Sequence, residues 1–293
     1  MGKTAFIFPG QGAQVCGMGQ DFYENSETAK AVFDRATELL GFSVPELCFE
    51  KNDRLDITEY TQAAMVTTSV AMMKVMEERG IHADVAAGLS LGEYCALVAA
   101  GVMTADDAIR TVRERGILMQ EAVPAGVGGM SAVLGMTADE INAVVDEIPN
   151  VQVANYNCPG QIVISGTMQG IATACEKLKA AGAKRALPLK VGGAFHSPLM
   201  EPARKELADA IMHTHFSQPS CPVYQNVNAQ PVSDPEVIKK NLIDQLTASV
   251  RWTQTVQNML ADGASSFLEI GPGNVLQGLI KKVSTEVETA GIQ

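Results

Sequence analysis

Apolar and polar positions follow two rhythms along this chain. A short unbroken apolar run, Thr4 to Pro9 (TAFIFP), reads as a buried strand that Gly10-Gln11-Gly12 interrupts. From about Ser26 to Leu40, and again from about Ala63 to Arg79, apolar residues recur at helical spacing, with Gly41 and Gly80 just beyond as stops. Asp84 to Ala87 is strand-like and Glu93 to Ala100 helical, and between and across them lies the heptapeptide GLSLGEY, Gly88 to Tyr94. Near the C-terminus a strand at Ser265 to Ile270, a tight Gly271-Pro272-Gly273 turn and a helix from Asn274 to Val283 repeat the alternation. Strands that alternate with helices predict a parallel α/β sheet.

Between Gly129 and Val191 the order changes. Met130 to Leu134 predicts a strand, and Thr137 with Glu140 forms a capping box that opens a helix through Ile148. Val151 to Tyr156 and Gln161 to Ser165 read as two strands joined by a turn at Cys158-Pro159-Gly160. A helix from about Thr167 to Ala181, stopped by Gly182, and a last strand from Arg185 to Val191 complete the order βαββαβ, that of the ferredoxin-like split unit. The expected organisation is therefore an α/β parallel-sheet domain formed by residues 1–126 and 194–293, with a small ferredoxin-like domain, 127–193, inserted into it.

Composition narrows the class. With 293 residues, 46% of them hydrophobic and 19% charged, the chain has enough apolar material for one or two globular cores. No apolar run approaches the roughly 18 residues that cross a bilayer. The start, Met1 to Thr4 followed by a brief strand, has no long apolar stretch of a secretory leader, so a cytoplasmic protein without a membrane partner is expected. The six cysteines include no C-x-x-C pair, which points to scattered buried thiols rather than a zinc or redox site. A net charge of −11 argues against non-specific nucleic-acid binding.

The chemistry centres on GLSLGEY. In G-x-S-x-G the glycines permit a sharp strand-to-helix turn on which a serine, here Ser90, stands clear of the sheet as a nucleophile. Such a serine needs a base, and there are four histidines to choose from. His82 falls at the start of the strand leading to Ser90, and His213 and His215 fall near the end of a helical stretch. His196, in the glycine-rich loop GGAFHSP, is free to reach the turn. No aspartate between 90 and 196 is well placed as a third member, which favours a Ser-His dyad whose imidazole is oriented by a backbone carbonyl.

Two further groups complete the picture. The Gly10 to Gln14 loop lacks the third glycine of a dinucleotide fingerprint, Val15 standing in its place, and there is no Walker loop. Its turn can instead aim the Gln11 N–H, paired with that of Leu91, at a developing oxyanion. The helix from Thr104 carries Arg110, Arg113 and Arg115. At about 100° per residue, Arg115 falls roughly 60° from the centre of the apolar face, against roughly 100° for Arg113 and 160° for Arg110. An inward guanidinium needs an anion, and with no carboxylate obvious nearby in sequence a substrate carboxylate is the expected partner.

Taken together, these residues resemble the malonyl-CoA:acyl carrier protein transacylase family over essentially the whole chain. The blocks that carry the resemblance are FPGQGAQ (8–14), TQAA (61–64), GLSLGEY (88–94), RG-x-x-MQ (115–120), NYNCPGQIVISG (155–166), GAFHSPLM (193–200) and EIGPGNVL (269–276). The resemblance implies an α/β-hydrolase-like large domain and malonyl transfer from malonyl-CoA to acyl carrier protein through an ester on Ser90, for fatty-acid biosynthesis. It implies His196 as base, Arg115 as carboxylate clamp assisted by Gln62, and Gln11 and Leu91 as oxyanion donors. It also implies that the Gln245 carbonyl orients His196, that Asn155 and Asn157 line the cleft, and that Phe195 marks a malonyl-type site. No cofactor or metal is implied, and a monomer is expected. Leu89 replaces a commoner histidine and Ala63 a commoner proline. Alternatives are a stand-alone polyketide-type acyltransferase, a serine thioesterase or hydrolase, and a non-catalytic carrier-binding module. Lys184, Arg185, Lys190, Arg204, Lys281 and Lys282 are candidates for docking the carrier.

Overall fold

The computed structural model describes residues 2–124, 126–189 and 191–293. In chain order the elements are β1 (Lys3–Phe8), α1 (Gln20–Asn25), α2 (Glu27–Leu40), α3 (Val44–Phe49), α4 (Thr58–Glu78), β2 (Val85–Gly88), α5 (Gly92–Ala99) and α6 (Ala105–Ala122). Then come β3 (Gly128–Leu134), α7 (Ala138–Val145), β4 (Val151–Cys158), β5 (Gln161–Thr167), α8 (Met168–Ala180) and β6 (Arg185–Pro188). The chain continues with α9 (Glu201–His213), β7 (Val223–Tyr224), β8 (Pro231–Val232), α10 (Pro235–Asp244), α11 (Trp252–Ala261), β9 (Ala264–Ile270), α12 (Val275–Val283) and β10 (Glu288–Ile292).

The strands form two sheets. The larger has the order β10-β9-β1-β2-β7-β8, parallel except for β8. Both of its faces are covered, so Ala5 to Phe8 of β1 and Val85 to Ala87 of β2 are apolar at successive rather than alternate positions. Phe6 and Phe8 of β1 pack with α2, α4, α5 and α6 on one side. Ala5 and Ile7 pack on the other with Trp252 and Val256 of α11 and Leu276 and Ile280 of α12. Helix α4 lies in the middle of the first layer and is buried on nearly every side, as a helix with no polar face must be.

The smaller sheet is antiparallel with the order β4-β5-β3-β6. One face packs under α7 and α8, through Val133, Ile164, Ile141, Ile171 and Leu178. Its other face carries Met130, Ala154 and Val163 into the core of the larger unit. The two units are also joined by backbone hydrogen bonds along β4, from the Tyr156 N–H to the Val250 carbonyl at 2.9 Å and from the Val250 N–H to the Ala154 carbonyl at 2.7 Å.

Local signals account for most boundaries. The Ser26 hydroxyl caps α2, and Gly41 ends it at φ 73°. The expected capping box is present at Thr137 and Glu140. Other boundaries differ from expectation. Helix α4 begins at Thr58 rather than Ala63, because Thr58, Thr61 and Gln62 are polar yet buried, which breaks the apolar rhythm that would mark them. Helix α7 ends at Val145 and not Ile148, and β6 ends at Pro188. Lys190, which the strand was expected to include, lies outside the described residues. Five cysteines are buried, but Cys16 is exposed.

The turn after β2 is closed by backbone packing. A Cβ on Gly88 would lie 1.9 Å from the Gly92 carbonyl carbon, and one on Gly92 would lie 2.1 Å from the Phe8 carbonyl oxygen. Gly92→Ala is therefore expected to lose more than about 3 kcal/mol of stability or fail to fold. Gly101→Ala, at φ 69° with open space around it, is expected to cost about 1–2 kcal/mol. Urea denaturation of both variants checks the contrast, and equal losses would contradict it.

Candidate active site

The ends of β1 and β2 meet at one pocket, at the carboxyl edge of the parallel sheet where α/β folds place ligands. The cavity holds about 160 Å³ and is lined by residues that include Gln11, Leu89, Ser90, Leu91, Arg115, Asn155, Asn157, Phe195 and His196. Ser90 stands between β2 and α5 at φ 51°, a left-handed conformation unusual for a serine. Asn226 holds it there. Its side-chain oxygen accepts the Ser90 N–H at 2.6 Å, and its amide nitrogen donates to the Gly88 carbonyl at 2.7 Å. The Gln245 side-chain amide donates to the Ser90 carbonyl at 3.0 Å.

His196 has the same left-handed backbone, φ 54°, and is buried. Its Nδ1 lies 2.9 Å from the Gln245 carbonyl oxygen and its Nε2 lies 2.7 Å from Ser90 Oγ. A carbonyl can only accept, so the ring proton sits on Nδ1 and Nε2 is left to accept from the serine hydroxyl. The Gln152 side chain donates to the His196 carbonyl and, at 3.0 Å, to the Thr247 carbonyl, so a residue of β4 pins the loop that carries the imidazole. Burial, assisted by the nearby Arg115 charge, pulls the His196 pKa down to about 4. The ring is neutral at physiological pH and able to take a proton.

Arg115 points inward, as its place on α6 predicts, and is 1% exposed. Its Nη1 donates to Gln62 Oε1 at 2.9 Å, and its Nη2 reaches Gln245 Oε1 at 3.2 Å and Ser90 Oγ at 3.4 Å. Each of these partners is a neutral oxygen. Among the described residues Arg115 enters no ion pair. Arg113, by contrast, is paired with Glu59 at 2.7 Å and stacked on Tyr60, and Arg110 is exposed. Gln11 and Leu91 both line the cavity, and among the described residues the backbone N–H of neither has an intramolecular acceptor. Asn157 Oδ1, also buried, has no partner either.

Comparison with known proteins identifies the family. The acyl transferase domain family matches residues 5–292. This chain belongs to that family. A malonyl CoA-acyl carrier protein transacylase of Bacillus subtilis is 46% identical over all of this chain and 94% of its own length. An acyl carrier protein S-malonyltransferase from Vibrio cholerae is 42% identical, with a TM-score of 0.96 over 99% of this chain and 97% of that one. A malonyl-transacylase solved in complex with its type II PKS acyl-carrier protein is 40% identical, with a TM-score of 0.96 over 99% of this chain and 96% of that one.

In this acyltransferase fold every expected site residue comes to the same pocket or its wall. The remaining histidines do not: His82, His213 and His215 are exposed elsewhere. Among the docking candidates, Arg204 is already paired with Asp244 and Glu201, and Lys190 falls outside the described residues. No carboxylate is obvious near Arg115 in sequence, but the fold brings one close from another element. Glu93, in the first turn of α5, is completely buried, and its charge reaches Arg115 without forming a direct pair. Asn226, Gln225 and Gln152 were also missed, since isolated amides carry no periodic or motif signal; Glu93 was visible within GLSLGEY as a charge entering an otherwise apolar helix. Among the described residues no helix is long and apolar enough to cross a membrane, and no group of three or more His, Cys, Asp or Glu is placed to hold a metal.

Because the His196 pKa is lowered from 6.5 to about 4, folding favours the neutral ring. The stability linked to it is complete above about pH 6.5 and lost as pH falls through about 4. An NMR titration of the ring should give a midpoint near 4, and a midpoint between 6 and 7 would contradict the buried geometry.

Proposed function

We propose that this acyltransferase moves a malonyl group from malonyl-CoA to the phosphopantetheine thiol of acyl carrier protein, supplying malonyl-carrier for fatty-acid biosynthesis. The names of its relatives support the reaction class, and one observation carries the substrate class. Arg115 is a buried guanidinium beside Ser90 with neutral partners alone. A charge withdrawn from water in this way calls for an anion, and its planar fork suits a carboxylate bonded through two parallel N–H groups. Malonyl-CoA places a carboxylate two carbons from the thioester carbonyl that Ser90 would attack. The cavity of about 160 Å³ is lined by Ser90, His196 and Arg115 together, which gives a short acyl group ending in a carboxylate a place beside all three.

Each group then has one task. His196 Nε2 takes the Ser90 proton as Oγ attacks the thioester carbonyl, and the N–H groups of Gln11 and Leu91 hold the oxyanion that forms. Collapse expels the coenzyme A sulfur, which leaves with the proton from His196, and malonyl remains as an ester on Ser90. The carrier thiol gives its proton to His196 and attacks the ester, a second oxyanion collapses, and Ser90 Oγ recovers its proton. The Gln245 carbonyl keeps the imidazole in the required tautomer, Gln62 braces Arg115, Phe195 packs against the acyl group, and Asn155 and Asn157 offer amides to the incoming arm. The exchange balances with these residues and requires neither a metal nor a redox cofactor.

The reading extends to the architecture. Residues 1–126 and 194–293 act as an α/β-hydrolase-like unit that supplies the dyad, and residues 127–193 as a ferredoxin-like unit that roofs it. The βαββαβ order and the β4-β5-β3-β6 arrangement support that division. We assign a cytoplasmic monomer.

Intact mass after mixing with malonyl-CoA should show a malonyl-sized adduct that Ser90→Ala lacks. Free malonate without an adduct or transfer to carrier would favour a hydrolase. Arg115→Ala should reduce the preference for malonyl over acetyl thioesters, in kcat/KM, by roughly a hundredfold, the equivalent of losing about 2–3 kcal/mol of charge-assisted hydrogen bonding. Unchanged selectivity would refute the clamp.

A further inference from the structure

The buried carboxylate beneath the Ser90 turn has no place in the acyl-transfer steps, yet it is fully connected. Glu93 Oε2 accepts the Asn226 backbone N–H at 2.7 Å, and Oε1 accepts the Gln225 side-chain amide at 3.1 Å. Gln225 is itself fixed, donating to the Ile238 carbonyl at 3.0 Å and accepting from the Asn241 amide at 2.9 Å. Asn226 then bonds the Ser90 N–H and the Gly88 carbonyl, and its side-chain oxygen lies 3.4 Å from the Gln245 amide nitrogen. Gln245 bonds the Ser90 carbonyl, Arg115 Nη2 and, through its own carbonyl, His196 Nδ1. One carboxylate thus anchors Asn226, which holds the nucleophile in its left-handed turn and contacts the side chain of Gln245, the residue whose backbone carbonyl orients the base.

We infer that Glu93, as an ionised carboxylate, is a positioning residue for the Ser90–His196 dyad, acting through Asn226 and Gln245. Both of its oxygens receive donors, so protonation would turn one acceptor oxygen into a hydroxyl and weaken the hydrogen bonds that the carboxylate accepts. The titratable groups whose charges bear on it are Arg115 from α6 and the adjoining Tyr94 of α5, while the 225–226 segment presents neutral amides. Burial raises the Glu93 pKa from 4.5 to about 7. A raised carboxyl pKa means that the folded state holds the proton more tightly, so the carboxylate lowers stability as pH rises through this window. Activity and stability therefore respond in opposite directions: ionising Glu93 assembles the dyad while straining the fold. A residue that served stability alone would not behave in this way.

The inference rests on Ser90 as the acyl acceptor, and the test separates the two. In rapid-quench acylation by malonyl-CoA, Glu93→Gln should slow the formation of the Ser90 adduct about a hundredfold, the loss that a displacement of about 1 Å brings, with KM changed less than about threefold. The wild-type acylation rate should fall as pH drops through about 7, a limb that Glu93→Gln lacks. The melting temperature of the wild type relative to Glu93→Gln should fall as pH rises from about 5 to 7. Should Glu93→Gln not fold, the wild-type pH limb carries the test without any variant. A folded variant that acylates at the wild-type rate, or a wild-type rate constant between pH 5.5 and 8, would overturn the inference. Failure of the wild type to form any adduct would instead overturn the acyl-transfer reading.

Discussion

The site depends on one constrained turn. Ser90 leaves β2 in a left-handed conformation that a serine adopts at a cost of order 1–3 kcal/mol, and the surroundings must over-determine it. They do so by close packing and by polar fixation. Gly88 lets the turn close backbone to backbone on the start of α5, and Gly92 lets it pack in the same way against the end of β1, where no side chain fits. Asn226 and Gln245 bond the serine's own N–H and carbonyl. His196 shows the same strategy in its loop, a left-handed residue bonded at its carbonyl by Gln152 and at its ring by Gln245. The two members of the dyad are held apart from relaxed geometry by partners on different elements, and the 2.7 Å contact between them results.

The electrostatics follow from burying three ionisable groups together. Burial disfavours each charged form, and it draws His196 and Arg115 down and pushes Glu93 up. The consequences differ with the partners available. His196 stays neutral, with Nε2 open to accept a proton. Arg115 keeps its charge because a guanidinium does not readily lose a proton, and it rests on neutral oxygens. Glu93 accepts donors on both oxygens and so supports a carboxylate where solvent cannot. The buried network costs stability, and it is concentrated where the chemistry needs fixed geometry, a pattern in which preorganised dipoles replace mobile water.

How much of this was legible in the sequence follows from which signals are local. The alternation of apolar runs and helical stretches marked β1, α2, β2 and α12, because those elements bury a face or a whole strand. Spacing on α6 singled out Arg115 among three arginines, because a helix converts sequence distance into direction. The start of α4 escaped, since Thr58, Thr61 and Gln62 are buried through hydrogen bonds rather than apolarity. Strand β10 escaped as well: it pairs at the sheet edge with a charged, largely exposed sequence that no apolar pattern distinguishes. The amides Gln152, Gln225 and Asn226 could not be found at all from the chain alone, because their role arises from residues up to 138 positions away in sequence. GLSLGEY was readable as a turn with a nucleophile. What the fold adds is that its glutamate reaches through Asn226 to support that same serine.

We propose that a single buried constellation stores the acyl group on Ser90 and releases it to a thiol rather than to water. The most direct test is to form the malonyl-enzyme, free it of coenzyme A, and mix it with phosphopantetheinylated acyl carrier protein while following both proteins by mass. Near-stoichiometric loss of the adduct from the enzyme, matched by its gain on the carrier, is the expected result. An adduct that decays to free malonate at the same rate with or without carrier would contradict the account.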